Sequence, residues 1–106
     1  MPKYMIQARY DLDGARGVVK QGATARRAAA QALVESLGGK LEAFYFAFGD
    51  VDVFAIADMP DHVTAATAAM AVNTSGGVSA RTVALLSAED MDKAAKRIPA
   101  YRGPAQ

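Results

Sequence analysis

The chain alternates between two kinds of hydrophobic pattern. Short runs rich in aromatic, β-branched and other apolar residues, which predict strands, lie at 3–12, 40–48, 51–57 and 78–86. Longer runs in which apolar residues recur every three or four positions, which predict helices, lie at 24–37, 61–72 and 88–98. The order is therefore strand, helix, strand, strand, helix, strand and a final helix, with a short helical turn also compatible with residues 15–21.

The predicted helices carry start and stop signals. Thr24 is positioned to cap the first helix, and Gly38-Gly39 to end it. Asp61 is positioned to cap the second, and Ser87 with an acidic residue three positions on resembles a capping box for the third. The expected inner faces are Ala30, Leu33, Val34 and Leu37 in the first helix, Val63, Ala66 and Met70 in the second, and Met91, Ala94, Ala95 and Ile98 in the third.

Two crossovers around a central hairpin predict the overall arrangement. Gly49-Asp50 suits a two-residue type II′ turn between the second and third strands. The order βαββαβ then indicates an α+β ferredoxin-like sandwich with an extra C-terminal helix, and right-handed crossovers give the strand order 4-1-3-2. We expect one domain over residues 1–98, followed by a mobile tail over 99–106.

Both faces of the predicted sheet are apolar, although one layer of helices can cover only one of them. Side-chain alternation assigns small residues to the helix side and larger ones to the other side. The expected set on the uncovered side is Met5, Gln7, Arg9, Phe44, Phe46, Phe48, Asp52, Phe54, Ile56, Val83 and Leu85. An exposed patch of this kind is larger than monomers usually tolerate. We therefore expect an identical subunit to pack sheet on sheet about a two-fold axis, forming a dimeric α/β barrel.

Polar residues within this apolar face form a candidate ligand pocket. If the first and third strands pair with their middles aligned, Arg9 lies opposite Asp52, and Arg81 on the fourth strand lies near Gln7. One interpretation is structural: an Arg–Asp pair fixes the register inside the dimer. The other is functional: two arginines hold an anionic or carbonyl-bearing ligand against the aromatic rings. The predicted pocket residues are Gln7, Arg9, Phe46, Asp52, Phe54 and Arg81.

One segment also carries a family resemblance. The stretch GGKLEAFYFAFGDVDVFAIADMPD, residues 38–61, resembles the central signature of the GYD-domain family, and MPKYMIQARY and VSARTVALL resemble its first and last strands. Val51 stands where that family has its tyrosine. The resemblance implies a ferredoxin-like fold and a dimeric α/β barrel, and it implies little about chemistry.

Composition removes several classes of function. There are no cysteines, so thiol chemistry and Cys metal sites are excluded. The single histidine argues against a His-rich metal site and leaves only carboxylates as metal ligands, and we expect neither a metal nor a cofactor. The net charge of +1 and the scattered basic residues argue against nucleic-acid binding. No apolar run is long enough to span or target a membrane, so a cytoplasmic location is the expectation.

Two hypotheses for function stay open. The first is a homodimer, or a higher even oligomer, that binds a small anionic or aromatic molecule or a protein partner. The second is a cofactor-free enzyme, such as an oxygenase or isomerase, acting on a small aromatic or carbonyl compound inside the barrel. The second needs an ionisable group with a perturbed pKa in an enclosed pocket, and Asp52 is the only candidate base among the pocket residues.

Overall fold

Four antiparallel strands form the sheet around which the molecule is built. In a computed structural model that describes residues 1–106, β1 (Lys3–Tyr10), β2 (Lys40–Phe46), β3 (Val53–Asp58) and β4 (Val78–Leu85) are ordered β2-β3-β1-β4. This is the order 4-1-3-2 expected from the sequence. The register of β1 with β3 is also as predicted, because Gln7 pairs with Phe54. The same residue pairs with Arg81 on β4.

Four helices complete the α+β fold. They are α1 (Leu12–Gln21), α2 (Ala23–Ser36), α3 (His62–Ser75) and α4 (Ala88–Ala95). The Asp61 carboxylate accepts a hydrogen bond from the Thr64 N–H at 2.8 Å, and Ser87 Oγ accepts one from the Asp90 N–H at 3.1 Å, so both predicted caps are confirmed. The arrangement is consistent with a ferredoxin-like fold, and no helix is both long and apolar enough to cross a membrane.

The first crossover differs from the sequence-based expectation. Residues 12–21 form a complete helix rather than a short turn, because the Asp11 carboxylate accepts a hydrogen bond from the Gly14 N–H at 2.9 Å and caps it. The second helix begins directly afterwards, with Gly22 rather than Thr24 at its N-cap position. The expected glycine stop is confirmed, since Gly38 has a φ of 80° at the end of α2.

The hairpin between β2 and β3 is also longer than predicted. The two strands end at Phe46 and begin at Val53, so residues 47–52 replace the expected two-residue turn. The connection is closed by a hydrogen bond of 2.8 Å from the Ala47 N–H to the Asp52 carbonyl oxygen.

A β-bulge in β2 changes which side of the sheet its side chains face. Leu41 pairs with Ala57, but Ala43 pairs with Ile56, so Glu42 is an extra residue in β2. Phe46 consequently pairs with Val53, which faces the helices, and Tyr45 pairs with Phe54 on the other side. The expected placement of Phe44 and Phe46 on the uncovered face is therefore wrong, and the predicted positions of Ala43 and Tyr45 are reversed as well.

The helices α2 and α3 cover one side of the sheet, and the core lies beneath them. Its buried members are Tyr4, Ala8, Val34, Val53, Ala55, Ala57, Met59 and Ala65. The predicted inner face of α2 is confirmed by buried Val34. The predicted inner face of α3 is wrong, because Val63 and Met70 are about two-thirds exposed and Ala65 is buried instead. Since α3 is apolar almost all round, its sequence pattern does not reveal which side packs inward.

The C-terminal segment projects away from this body. Every residue from 86 to 102 is exposed, and α4 makes no extensive contact with another helix or strand. The radius of gyration is 16.8 Å, compared with about 13 Å for a compact chain of this length. We call residues 86–101 the C-terminal arm.

Candidate functional site

The side of the sheet that faces away from α2 and α3 is the candidate site, and we call it the open face. Neighbouring strands carry their side chains in rows across it. One row is apolar and consists of Val83, Met5, Ile56 and Ala43. The next row mixes polar and aromatic side chains and consists of Arg81, Gln7, Phe54 and Tyr45. The structure thus brings three of the predicted pocket residues, Gln7, Phe54 and Arg81, side by side.

Large apolar groups on the open face are exposed in a single chain. Tyr45 is 71 %, Val83 43 % and Phe54 38 % exposed. No helix of the same chain lies over them, since α1 contacts β1, α2 contacts β2 and α3 contacts β4 from the opposite side. The sheet therefore has an uncovered apolar face, as expected. Its aromatic residues differ from the expected set, because Tyr45 lies there and Phe44 and Phe46 do not.

The two phenylalanines removed from the open face pair with each other. The ring centroids of Phe44 and Phe46 lie 5.4 Å apart in an edge-to-face arrangement. Phe44 lines the space between the sheet and the helices. Phe46, which was predicted to line the pocket, lies on that same helix side and is separated from Arg81 and Gln7 by the sheet.

Asp52 bonds to the backbone of β1 rather than to Arg9. Its Oδ2 accepts a hydrogen bond from the Tyr10 N–H at 2.8 Å. Its own N–H donates to the Ala8 carbonyl oxygen at 2.9 Å. The pairing of β1 with β3 ends at Ala8 and Val53, so the expected pairing of Arg9 with Asp52 does not form. Both ion pairs in the structure are made by Lys3, and neither Arg9 nor Asp52 takes part in one. The carboxylate thus extends the β1–β3 ladder past the end of β3.

One end of the open face carries a polar cluster that the sequence analysis missed. Lys3 Nζ lies 2.8 Å from Asp58 Oδ1 and 2.7 Å from Glu42 Oε2. The hydrogen bond to Asp58, followed by that to Glu42, raises the pKa of Lys3, and the bond to Lys3 lowers the pKa of Asp58. The predicted β1–β3 register places Lys3 opposite Asp58, so this half of the cluster could be predicted. The bulge that brings Glu42 close to Lys3 could not, because no sequence pattern marks it.

Several polar groups lie apart from this site. His62 is the exposed first residue of α3, next to the Asp61 cap. The hydrogen bonds from Thr64 to Asp61 lower the pKa of that carboxyl. Asn73, which the sequence analysis did not single out, binds the edge of β4: its amide donates to the Ala80 carbonyl oxygen at 3.2 Å and accepts from the Ala80 N–H at 2.6 Å. It thereby occupies backbone groups of an edge strand that could otherwise pair with another chain.

Comparison with known proteins agrees with this architecture. The model of the GYD domain family matches residues 4–95, which include the bulge and, apart from Lys3, all residues of the four strands. Comparisons with curated proteins and with solved structures give no match. Because the family match covers nearly the whole chain, the protein belongs to the GYD domain family.

Proposed function

We propose that the protein is a homodimer, formed by packing two open faces together, and that the dimer binds a small anionic aromatic ligand between the sheets. The observation that carries the proposal is the pair of adjacent rows on the open face, one apolar and one containing Arg81, Gln7 and Phe54. The apolar row favours contact with a second copy, because burying such groups removes them from water. The polar row gives that interface a place where a ligand can be held.

The open face is by itself smaller than an ordinary dimer interface. Strands of up to eight residues and four-strand width give a flat area of about 500 Å² from standard strand spacings. A stable interface usually buries about 800 Å² on each partner. The face alone therefore falls short of an ordinary dimer interface.

The C-terminal arm supplies the missing apolar surface. Leu86 is 65 %, Met91 55 %, Ile98 74 % and Tyr101 77 % exposed, and α4 has no extensive contact with the rest of its own chain. A helix as short as α4 is marginal in water without tertiary contacts. We infer that the arm packs on the second copy, so a chain ending at Leu85 should form a weaker dimer than the full chain.

Ligand binding would depend on the arginines of the open face. A guanidinium recognises a carboxylate through two parallel hydrogen bonds, and aromatic rings such as Phe54 and Tyr45 pack against a planar ligand. Arg81 and Gln7 are register partners, so both can reach the same bound group. Arg9 is two residues after Gln7 in β1, so its side chain lies on the same side of the sheet.

A small aromatic anion tests this binding proposal. Benzoate should raise the melting temperature of the full chain, benzyl alcohol should raise it less, and the benzoate shift should be lost in Arg81→Ala. Arg27→Ala is the matched control, because Arg27 is an exposed arginine of α2 on the other side of the sheet. A benzoate shift that is the same in Arg81→Ala and in the full chain contradicts the ligand half of the proposal.

A further inference from the structure

A second concave space lies on the other side of the sheet, between α2 and α3. The first of these helices packs over β2 and the second over β4, and they do not pack closely against each other. The gap between them exposes the central strands β1 and β3. It forms a groove with a cavity of about 150 Å³, and 20 of its 22 lining residues are hydrophobic.

Small side chains keep this groove open. Its walls include Ala29 and Ala30 from α2, and Ala68 and Ala69 from α3. Alanine is too short to fill the space between two separated helices, so Ile6 on the floor of the groove remains only partly buried. An empty apolar cavity is unfavourable because its lining loses van der Waals contacts. A dry cavity of about 150 Å³ is large enough to hold a benzene-sized apolar group.

A polar space adjoins the apolar groove. Its volume is about 500 Å³, and it is lined by residues that include Gln21, Ser75 and Asp13. Tyr10, Arg26 and Val78 line both spaces, so the two spaces adjoin each other at these residues.

Arg26 is the charged group at the junction. Its side chain is partly buried and takes part in neither of the ion pairs of the structure, both of which are made by Lys3. Asp13 lines only the outer, polar space. A bound anion would therefore be attracted to the inner end, next to the apolar cavity, and repelled from the outer end.

We propose that this groove binds a medium-chain aliphatic carboxylic acid, with its alkyl chain in the apolar cavity and its carboxylate on Arg26. The cavity accommodates a chain of about six carbon atoms, judged from the ring that fits a cavity of the same volume. Arginine provides the planar pair of donors that a carboxylate requires. The site is independent of the open face, from which the sheet separates it.

Octanoate is the probe that tests the proposal, with butanoate, octanol and octylamine as controls. Titration by calorimetry should give saturable binding of octanoate to the full chain, weaker binding of butanoate and octanol, and no binding of octylamine. Arg26→Met should raise the dissociation constant for octanoate by about tenfold or more, as expected for the loss of a charged hydrogen bond. Arg27→Met, on the exposed side of the same helix, should leave it unchanged.

A groove-filling variant provides the second test. Ala30→Leu should abolish octanoate binding and leave the ligand-free protein as stable as the original or more so, because the added side chain fills the cavity. Arg81→Ala should bind octanoate normally, which separates this site from the one proposed on the open face. Octanoate binding that is equal in the full chain, Arg26→Met and Ala30→Leu would overturn the proposal. Binding seen only after removal of residues 86–106 would also overturn it, since the groove would then belong to the C-terminal arm.

Discussion

Removing the ring of Phe54 is the sharpest perturbation of the proposed interface. Phe54 lies on β3 at the centre of the open face, between Gln7 and Tyr45, and is 38 % exposed in one chain. If a second copy covers this face, the exposed part of the ring becomes buried. An aromatic side chain presents about 200 Å², so dimerisation would bury about 75 Å² of each ring and twice that in the dimer.

The expected loss of dimer stability follows from that area. At about 25 cal/mol per Å², two rings contribute about 4 kcal/mol to association. Phe54→Ala should therefore raise the dimer dissociation constant by a few hundredfold. The measurement is sedimentation equilibrium over a concentration series, with circular dichroism to verify that the variant remains folded.

Val19→Ala is the control for this prediction. Val19 is 87 % exposed on α1, outside the open face, so its removal changes the exposed apolar surface without touching the proposed interface. Its dissociation constant should equal that of the original protein. A folded Phe54→Ala variant with an unchanged dissociation constant would refute the placement of a second copy on the open face.

Three further predictions concern the chain itself. Asp52→Ala should lower the free energy of unfolding in urea by about 1–3 kcal/mol, because the Tyr10 N–H loses its acceptor. Asp52→Asn keeps an oxygen at this position and should lower the free energy of unfolding by less. Equal decreases in the two variants would argue against this bond. Gly14→Ala should destabilise the protein, since a Cβ would lie 1.8 Å from the Gly77 carbonyl oxygen. Gly17→Ala, with nothing within 4 Å of its Cβ, should stabilise α1 by about 0.5–1 kcal/mol. The same shift in melting temperature in both variants would contradict the close approach of Gly14 to Gly77. The lowered pKa of Asp58 means that its pairing with Lys3 stabilises the fold at pH values above the ordinary carboxyl pKa of 3.8, and that this stabilisation is lost as pH falls through the lowered pKa. Lys3→Met should therefore show a smaller fall in melting temperature on acidification. The same dependence of melting temperature on pH in Lys3→Met and the original protein would show that the pair contributes nothing.

The order and pairing of the strands could be predicted because several local signals agree. Glycines and capping residues mark the ends of the elements, and the hydrophobic runs fix their number. The aligned middles of β1 and β3 then place Gln7 opposite Phe54, as the structure has it. For this reason the sequence alone predicts that Gln7, Phe54 and Arg81 lie next to one another.

The side-chain directions in β2 could not be predicted in the same way. The run KLEAFYF is apolar on both parities after Glu42, so alternation does not indicate which residues face the helices. A bulge often coincides with glycine, and none is present in this strand. Placing Phe46 in the pocket was the direct result, since one extra residue moves every later side chain to the opposite side.

Helix α1 was underestimated for a similar reason. Asp13-Gly14 is typical of a turn, and two further glycines follow within the next eight residues. The structure gives Gly14 a different role, because its missing side chain lets α1 approach the backbone of Gly77, whose carbonyl oxygen also accepts the Asp11 N–H at 3.1 Å. A contact between residues so far apart in sequence leaves no local pattern.

The central claim is that a second copy of the chain covers the open face, and the mass of the protein in solution tests it most directly. Light scattering at micromolar concentration should give twice the chain mass of 11.1 kDa, or a higher even multiple. A mass of 11.1 kDa at that concentration would contradict the claim and leave Tyr45 and Phe54 in water.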